Sequence, residues 1–231
     1  MEGYPWDFFP ARLHTTREIL FFLKNIDGIQ ALLETYPKSL RGKIFGDLYH
    51  PDVIEKSKAF MNRKVSKNIG KLILEISSRT VCYYKDTPMN EFYIRDNEPL
   101  IRNYKLISKE LSDIEIEKDI YEIYEISKKI FNEKIELHII PHLNLKSKSL
   151  GTYIPKRNSL VLLLESICNK LHIQFHPIGV YLENIDGSLY IEDYMKDSTH
   201  YSNGYDKVKE YLLTNAAASV CDLPPYPHSA Q

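Results

Sequence analysis

The sequence predicts an α/β fold, a three-layer sandwich built on a central, mostly parallel sheet. Short apolar runs bounded by polar turns, Lys71–Ser77 and Ile135–Ile140, read as buried strands. They alternate with helical patterns of ten or more residues, and such alternation builds a parallel sheet covered on both faces. The 231 residues are 43% hydrophobic, enough for one sizeable core and marginal for two. A single domain over residues 1–213 is therefore expected. Residues 214–231, with Pro224, Pro225 and Pro227, are expected to form a mobile tail.

The elements follow in order. Tyr4–Phe9 is aromatic and flanked by prolines, an irregular segment pinned by its rings. Thr15 and Glu18 have the spacing of a capping box, so a helix starts there and buries Ile19, Leu20, Phe22 and Leu23. Gly28 marks a break before a second short helix over 29–35. The strand at Lys71 ends in a polar turn, Ser77-Ser78-Arg79, and Pro88 and Pro99 bound a loop-rich stretch. Ile116, Ile120, Ile123 and Ile130 recur at three- and four-residue steps and predict one long helix over about 101–131. The strand Ile135–Ile140 stops at Pro141, and a helix over 159–171 follows, with Leu160, Leu164, Ile167 and Leu171 on one side. Ile173–Phe175 and Val180–Leu182 read as short strands, Leu189–Tyr194 as a further extended segment, and Asp206–Leu213 as the last helix.

Composition excludes several function classes. Lys and Arg number 30 against 31 Asp and Glu, and the charges alternate, which disfavours a nucleic-acid track. The three cysteines, Cys82, Cys168 and Cys221, are widely spaced and odd in number, which argues against a disulfide framework or a zinc site. No apolar run reaches membrane-spanning length, and the N-terminus lacks the pattern of a signal peptide, so a cytoplasmic location is expected. Neither a Gly-x-Gly-x-x-Gly nor a P-loop pattern occurs.

Ligands of parallel sheets sit beyond the carboxyl ends of the strands. That rule makes Ser77–Arg79, His142–Asn144 and Asp197–His200 candidates to share one crevice. Asp197 and His200 are three residues apart, and a carboxylate beside an imidazole can fix its tautomer and stabilise the imidazolium formed in proton transfer. Ser77 and Ser78 are expected to hydrogen-bond at the strand tip, with a nucleophile's role as the lesser reading. His138 and His176 are expected to be core or edge histidines.

Asp197-Ser198-Thr199-His200-Tyr201-Ser202-Asn203-Gly204-Tyr205 resembles the terminal block of the SGNH (GDSL-type) hydrolases. In that family an Asp and a His precede a turn and a closing helix. The resemblance implies an SGNH-like sandwich with His200 as general base and Asp197 as its partner. Looser matches at Lys71–Arg79 and at Ile139–Asn144 with Arg157-Asn158 extend it over about residues 70–213. It then implies a substrate site lined by Glu75, Ser77, Arg79, His142, Asn144 and Arg157.

The family's nucleophile turn is absent: Gly46-Asp47 is followed by Leu48, not serine. The expected activity is acyl transfer, including acetylation of a sugar, or ester hydrolysis on a carbohydrate or other small hydroxyl or amine substrate. No cofactor or metal is required. An acyl-CoA is admitted as co-substrate, with Arg79, Lys156 and Arg157 as cations for its phosphates. The alternative is a catalytically inactive SGNH-like domain that binds carbohydrate or a protein partner. Homo-oligomerisation is compatible with either, and an oligomeric structural protein is the third reading, suggested by the aromatic N-terminal segment.

Overall fold

A computed structural model describes residues 13–44, 70–186, 190–195 and 205–215. The chain divides into two compact units, Met1–His142 with Leu162–Phe175, and Leu143–Val161 with His176–Gln231. Helix α6 (Pro155–Leu171) contributes residues to both.

In the first unit, α1 (Thr16–Lys24) starts where the capping box places it. The Thr15 hydroxyl accepts from the Glu18 amide at 3.2 Å. The reciprocal bond reaches one residue further back than expected, from the His14 amide to Glu18 Oε2 at 2.9 Å. Two short helices follow, α2 (Ile29–Glu34) and α3 (Lys38–Ile44), each anchored by buried leucine or isoleucine.

Strands β1 (Lys71–Ile76), β5 (Glu136–Pro141) and β6 (Gln174–Phe175) form a parallel sheet in the order β1-β5-β6. β5 lies in the middle, and after Glu136 every residue in it is buried. This is why Leu137–Ile140 reads as a run and not as an alternation: both faces of a central parallel strand are covered. β1 is an edge strand and correspondingly more open. A second sheet is antiparallel, in the order β3-β2-β4, from β2 (Thr80–Tyr84), β3 (Thr87–Met89) and β4 (Ile107–Glu110). The fold is thus α/β with one small parallel and one small antiparallel sheet among the described residues.

Several expectations need correction. The single helix over 101–131 is two helices separated by a strand. α4 (Glu98–Tyr104) stops at Lys105, which takes a left-handed φ of 50°. β4 then pairs with β2, and α5 (Asp113–Ile130) restarts on a capping box between Ser112 and Glu115. The loop-rich stretch after Pro88 contains β3's end, a 3-10 turn at Glu91–Tyr93 and the start of α4.

Val180–Leu182 is not a strand but part of α7 (Ile178–Asp186). Ile178 and Leu182 are buried while Val180 is 44% exposed, a helical and not an alternating pattern. Of Leu189–Tyr194, Tyr190 forms only an isolated bridge with Lys146, and Ile191–Asp193 is a 3-10 turn. The last helix is α8 (Tyr205–Asn215). The aromatic N-terminal segment, Gly46–Leu48 and the proposed tail all lie outside the described residues, apart from Thr214 and Asn215, which belong to α8.

The first unit's core joins α1 to α5 and to the sheets. Ile19, Leu23, Ile116, Ile120 and Ile123 are all at most 5% exposed. Each such side chain contributes roughly 1.5–3 kcal/mol by leaving water. One polar clamp lies among them: Asp119 accepts from Arg17 Nε at 2.9 and 3.1 Å and from the Thr16 hydroxyl at 3.1 Å. No helix among the described residues is long and apolar enough to cross a membrane.

Candidate functional site

The carboxyl ends of β1 and β5 bring several chemically competent side chains close together. Parallel register pairs Glu75 with Ile140 and Ile76 with Pro141, so the residues that follow leave the sheet at one rim. The His142 amide donates back to the Ile76 carbonyl at 3.3 Å, which holds His142 beside the end of β1. There Glu75 Oε1 lies 2.9 Å from His142 Nδ1. A carboxylate can only accept, so Nδ1 carries the ring proton and Nε2 is the basic nitrogen. The imidazole is 9% exposed and the Glu75 side chain 51%, so the pair has one enclosed and one open end.

Ile76, the last residue of β1, is fully buried, while its neighbours Glu75 and Ser77 are more open. Ser77 is half-buried and its Oγ lies 2.9 Å from His14 Nδ1. The contact is framed by backbone: the Ser77 and Ser78 amides both donate to the His14 carbonyl at 3.0 Å. His14 in turn is held by the hydrogen bond that its backbone amide donates to Glu18 Oε2. Burial pushes the Glu18 carboxyl up to about 8, against the opposing effect of bonds from His14 and Thr15, and nearby Glu91 adds to the rise. Glu18 therefore keeps its proton at neutral pH.

Arg79 is engaged elsewhere. Its Nε donates to the Leu111 carbonyl at 3.1 Å and its Nη2 to Asp113, tying the turn after β1 to the start of α5. Asn144 and Arg157 belong to the second unit. Arg157 Nη1 donates to the Leu143 carbonyl at 2.8 Å, and Asn144 Nδ2 donates to Asn158 Oδ1 at 2.9 Å. Asp197 and His200 lie outside the described residues.

Comparison with known proteins finds no matching family, curated protein or solved structure.

His138 is buried at the Glu136 end of β5, and burial holds its pKa below the ordinary imidazole value. His176 is buried against the edge of the Tyr211 ring, with centroids 6.1 Å apart. A cavity of about 240 Å³ opens beside α1 and α5; its lining holds two ion pairs, Arg17 with Asp119 and Lys24 with Glu122, together with Asp86 and Lys118. In the second unit Glu192 accepts from the Ser147 hydroxyl and the Lys148 amide, which keep its carboxyl below the usual range. No group of three or more His, Cys, Asp or Glu side chains among the described residues converges as a metal site.

Sequence reasoning places Glu75, Ser77 and His142 separately near one rim, without the bonds that organise them. It misses His14 altogether. The available signal was its position just before the Thr15–Glu18 capping box, which fixes the backbone of His14 but says nothing of its distant partner.

Proposed function

We propose that this chain is an enzyme of acyl chemistry, an acyltransferase or ester hydrolase acting on a carbohydrate or another small hydroxyl or amine acceptor. The observation that carries the reading is the 2.9 Å bond between Glu75 and His142 at the carboxyl rim of two parallel strands. With Nδ1 donating to Glu75, His142 keeps Nε2, an atom buried from solvent, as the basic nitrogen that would serve as general base. It would take the proton of the acceptor as that group attacks an acyl carbonyl, then return it to the departing group. Glu75 would stabilise the transient imidazolium. General-base assistance of this kind accelerates reactions about 10²–10⁴-fold.

An SGNH-like sandwich, and with it Asp197 and His200 as a base pair of their own, belongs to the same proposal on the strength of the sequence resemblance. An acyl-CoA is the donor class that the same reading admits. No metal or further cofactor enters the scheme, and a cytoplasmic setting and self-association are compatible with it.

The test is turnover of a panel of short-chain acyl-CoA thioesters and activated esters, with and without sugar acceptors. His142→Ala should lower kcat at least 100-fold while circular dichroism stays native, and Glu75→Gln should lower it less. Activity that survives both changes but collapses in His200→Ala would move the base to His200 and make the Glu75–His142 pair a structural tie. The enclosure of the His142 ring, 9% exposed, favours a second reading: a non-catalytic domain that binds carbohydrate or a protein partner. Saturable glycan or protein binding without turnover of any donor would select it.

A further inference from the structure

We propose that Ser77 is a nucleophile activated by His14, so that acyl transfer passes through an ester on Ser77. The inference rests on the acyl-chemistry reading and adds a covalent step to it. A serine hydroxyl is a weak nucleophile until a base lies within hydrogen-bond reach. Ser77 Oγ and His14 Nδ1 are 2.9 Å apart, although 63 residues separate them in the chain. The contact is held from both sides. Two amides, of Ser77 and Ser78, grip the His14 carbonyl, and Glu18 grips the His14 amide. Both side chains are half-buried, shielded from bulk water yet reachable. Ser78 is not equivalent, because its hydroxyl accepts from the Thr80 amide at 3.0 Å and serves the turn.

Glu75 stands two residues before Ser77 and orients a second imidazole, His142, at the same rim. The two histidines divide the chemistry. In acylation His14, with its ring proton on Nε2, accepts the Ser77 hydroxyl proton at Nδ1 while Oγ bonds to the acyl carbon. The carbon's bond to the alkoxide or thiolate of the donor breaks, and that group leaves with the proton from His14. In deacylation His142 removes a proton from water or an acceptor hydroxyl as its oxygen attacks the acyl carbon. The ester bond to Ser77 breaks, and the serine oxygen recovers the proton from His142. Atoms and charge balance without an oxidant, reductant or further co-reactant.

Treating the full chain with a fluorophosphonate and mapping the adduct by peptide mass spectrometry tests this. One phosphonyl group is expected on the peptide that contains Ser77. It should be absent in Ser77→Ala, retained in Ser78→Ala, and form at least tenfold more slowly in His14→Gln, with the rate losing its rise through the imidazole titration range. Should Ser77→Ala not fold, Ser77→Cys keeps a nucleophile at the site, and its alkylation by iodoacetamide should slow at least tenfold when combined with His14→Gln. Absence of any adduct on Ser77 overturns the proposal, as does S77C alkylation indifferent to His14. Acyl transfer lost in His142→Ala but intact in Ser77→Ala also overturns it and leaves the acyl-chemistry reading standing. Labelling of Ser77 without turnover of any acyl donor overturns that reading instead and leaves the nucleophile in place.

Discussion

Replacing Glu18 with glutamine should stabilise the protein at high pH and do little at low pH. Glu18 is 1% exposed at the start of α1, and its folded carboxyl titrates at about 8 against an ordinary value of 4.5. Below about pH 4.5 the folded and unfolded chains both hold the proton, and the buried group carries no ionisation penalty. Between 4.5 and 8 the unfolded chain releases the proton and the folded chain retains it, so stability falls as pH rises. Above 8 the loss is complete. The gap corresponds to a ceiling of roughly 5 kcal/mol, of which roughly 3 kcal/mol is reached by neutrality.

Glutamine keeps an acceptor for the His14 amide and can donate to the Thr15 hydroxyl, but it never charges. Urea unfolding followed by circular dichroism should therefore give similar stabilities at about pH 4.5. At about pH 8.5 the variant should lead by roughly 2–5 kcal/mol, the lower bound allowing for local relaxation. Parallel stability profiles for the two proteins across this range would refute the reasoning. A variant less stable than the parent at high pH would do so more strongly.

Two further perturbations probe each unit separately. Asp119→Ala removes the acceptor of Arg17 and Thr16 from a side chain only 3% exposed, and should cost about 2–4 kcal/mol in chemical denaturation. Asp119→Asn, which keeps one acceptor oxygen, should recover part of that loss. In the second unit, a Cβ on Gly179 would fall 2.1 Å from the Asn144 carbonyl oxygen, too close for backbone to tolerate. Gly179→Ala should therefore cost about 1–3 kcal/mol by overpacking, read as a lower thermal midpoint.

What the sequence determined was local. The Thr15–Glu18 spacing places the start of α1, the apolar runs place β1 and β5, and the Leu160–Leu171 periodicity places α6, because capping and one-sided burial act over a few residues. What only the tertiary structure decided depends on partners far along the chain. Ile107–Glu110 continues a helical pattern, yet it becomes a strand because β2 offers a free edge and Lys105 turns the backbone into the left-handed region.

The Ser112–Glu115 capping box marked that restart and was legible, but the isoleucine periodicity that follows it was extended back across it. The bonds of the candidate site are of the same long-range kind: Glu75 and His142 are 67 residues apart, and His14 and Ser77 are 63 apart. A hydrogen bond between side chains so distant leaves no period in the sequence. The first bond exists because parallel pairing brings the ends of β1 and β5 to one rim, and the second because the Ser77 and Ser78 amides hold the His14 carbonyl beside the end of β1.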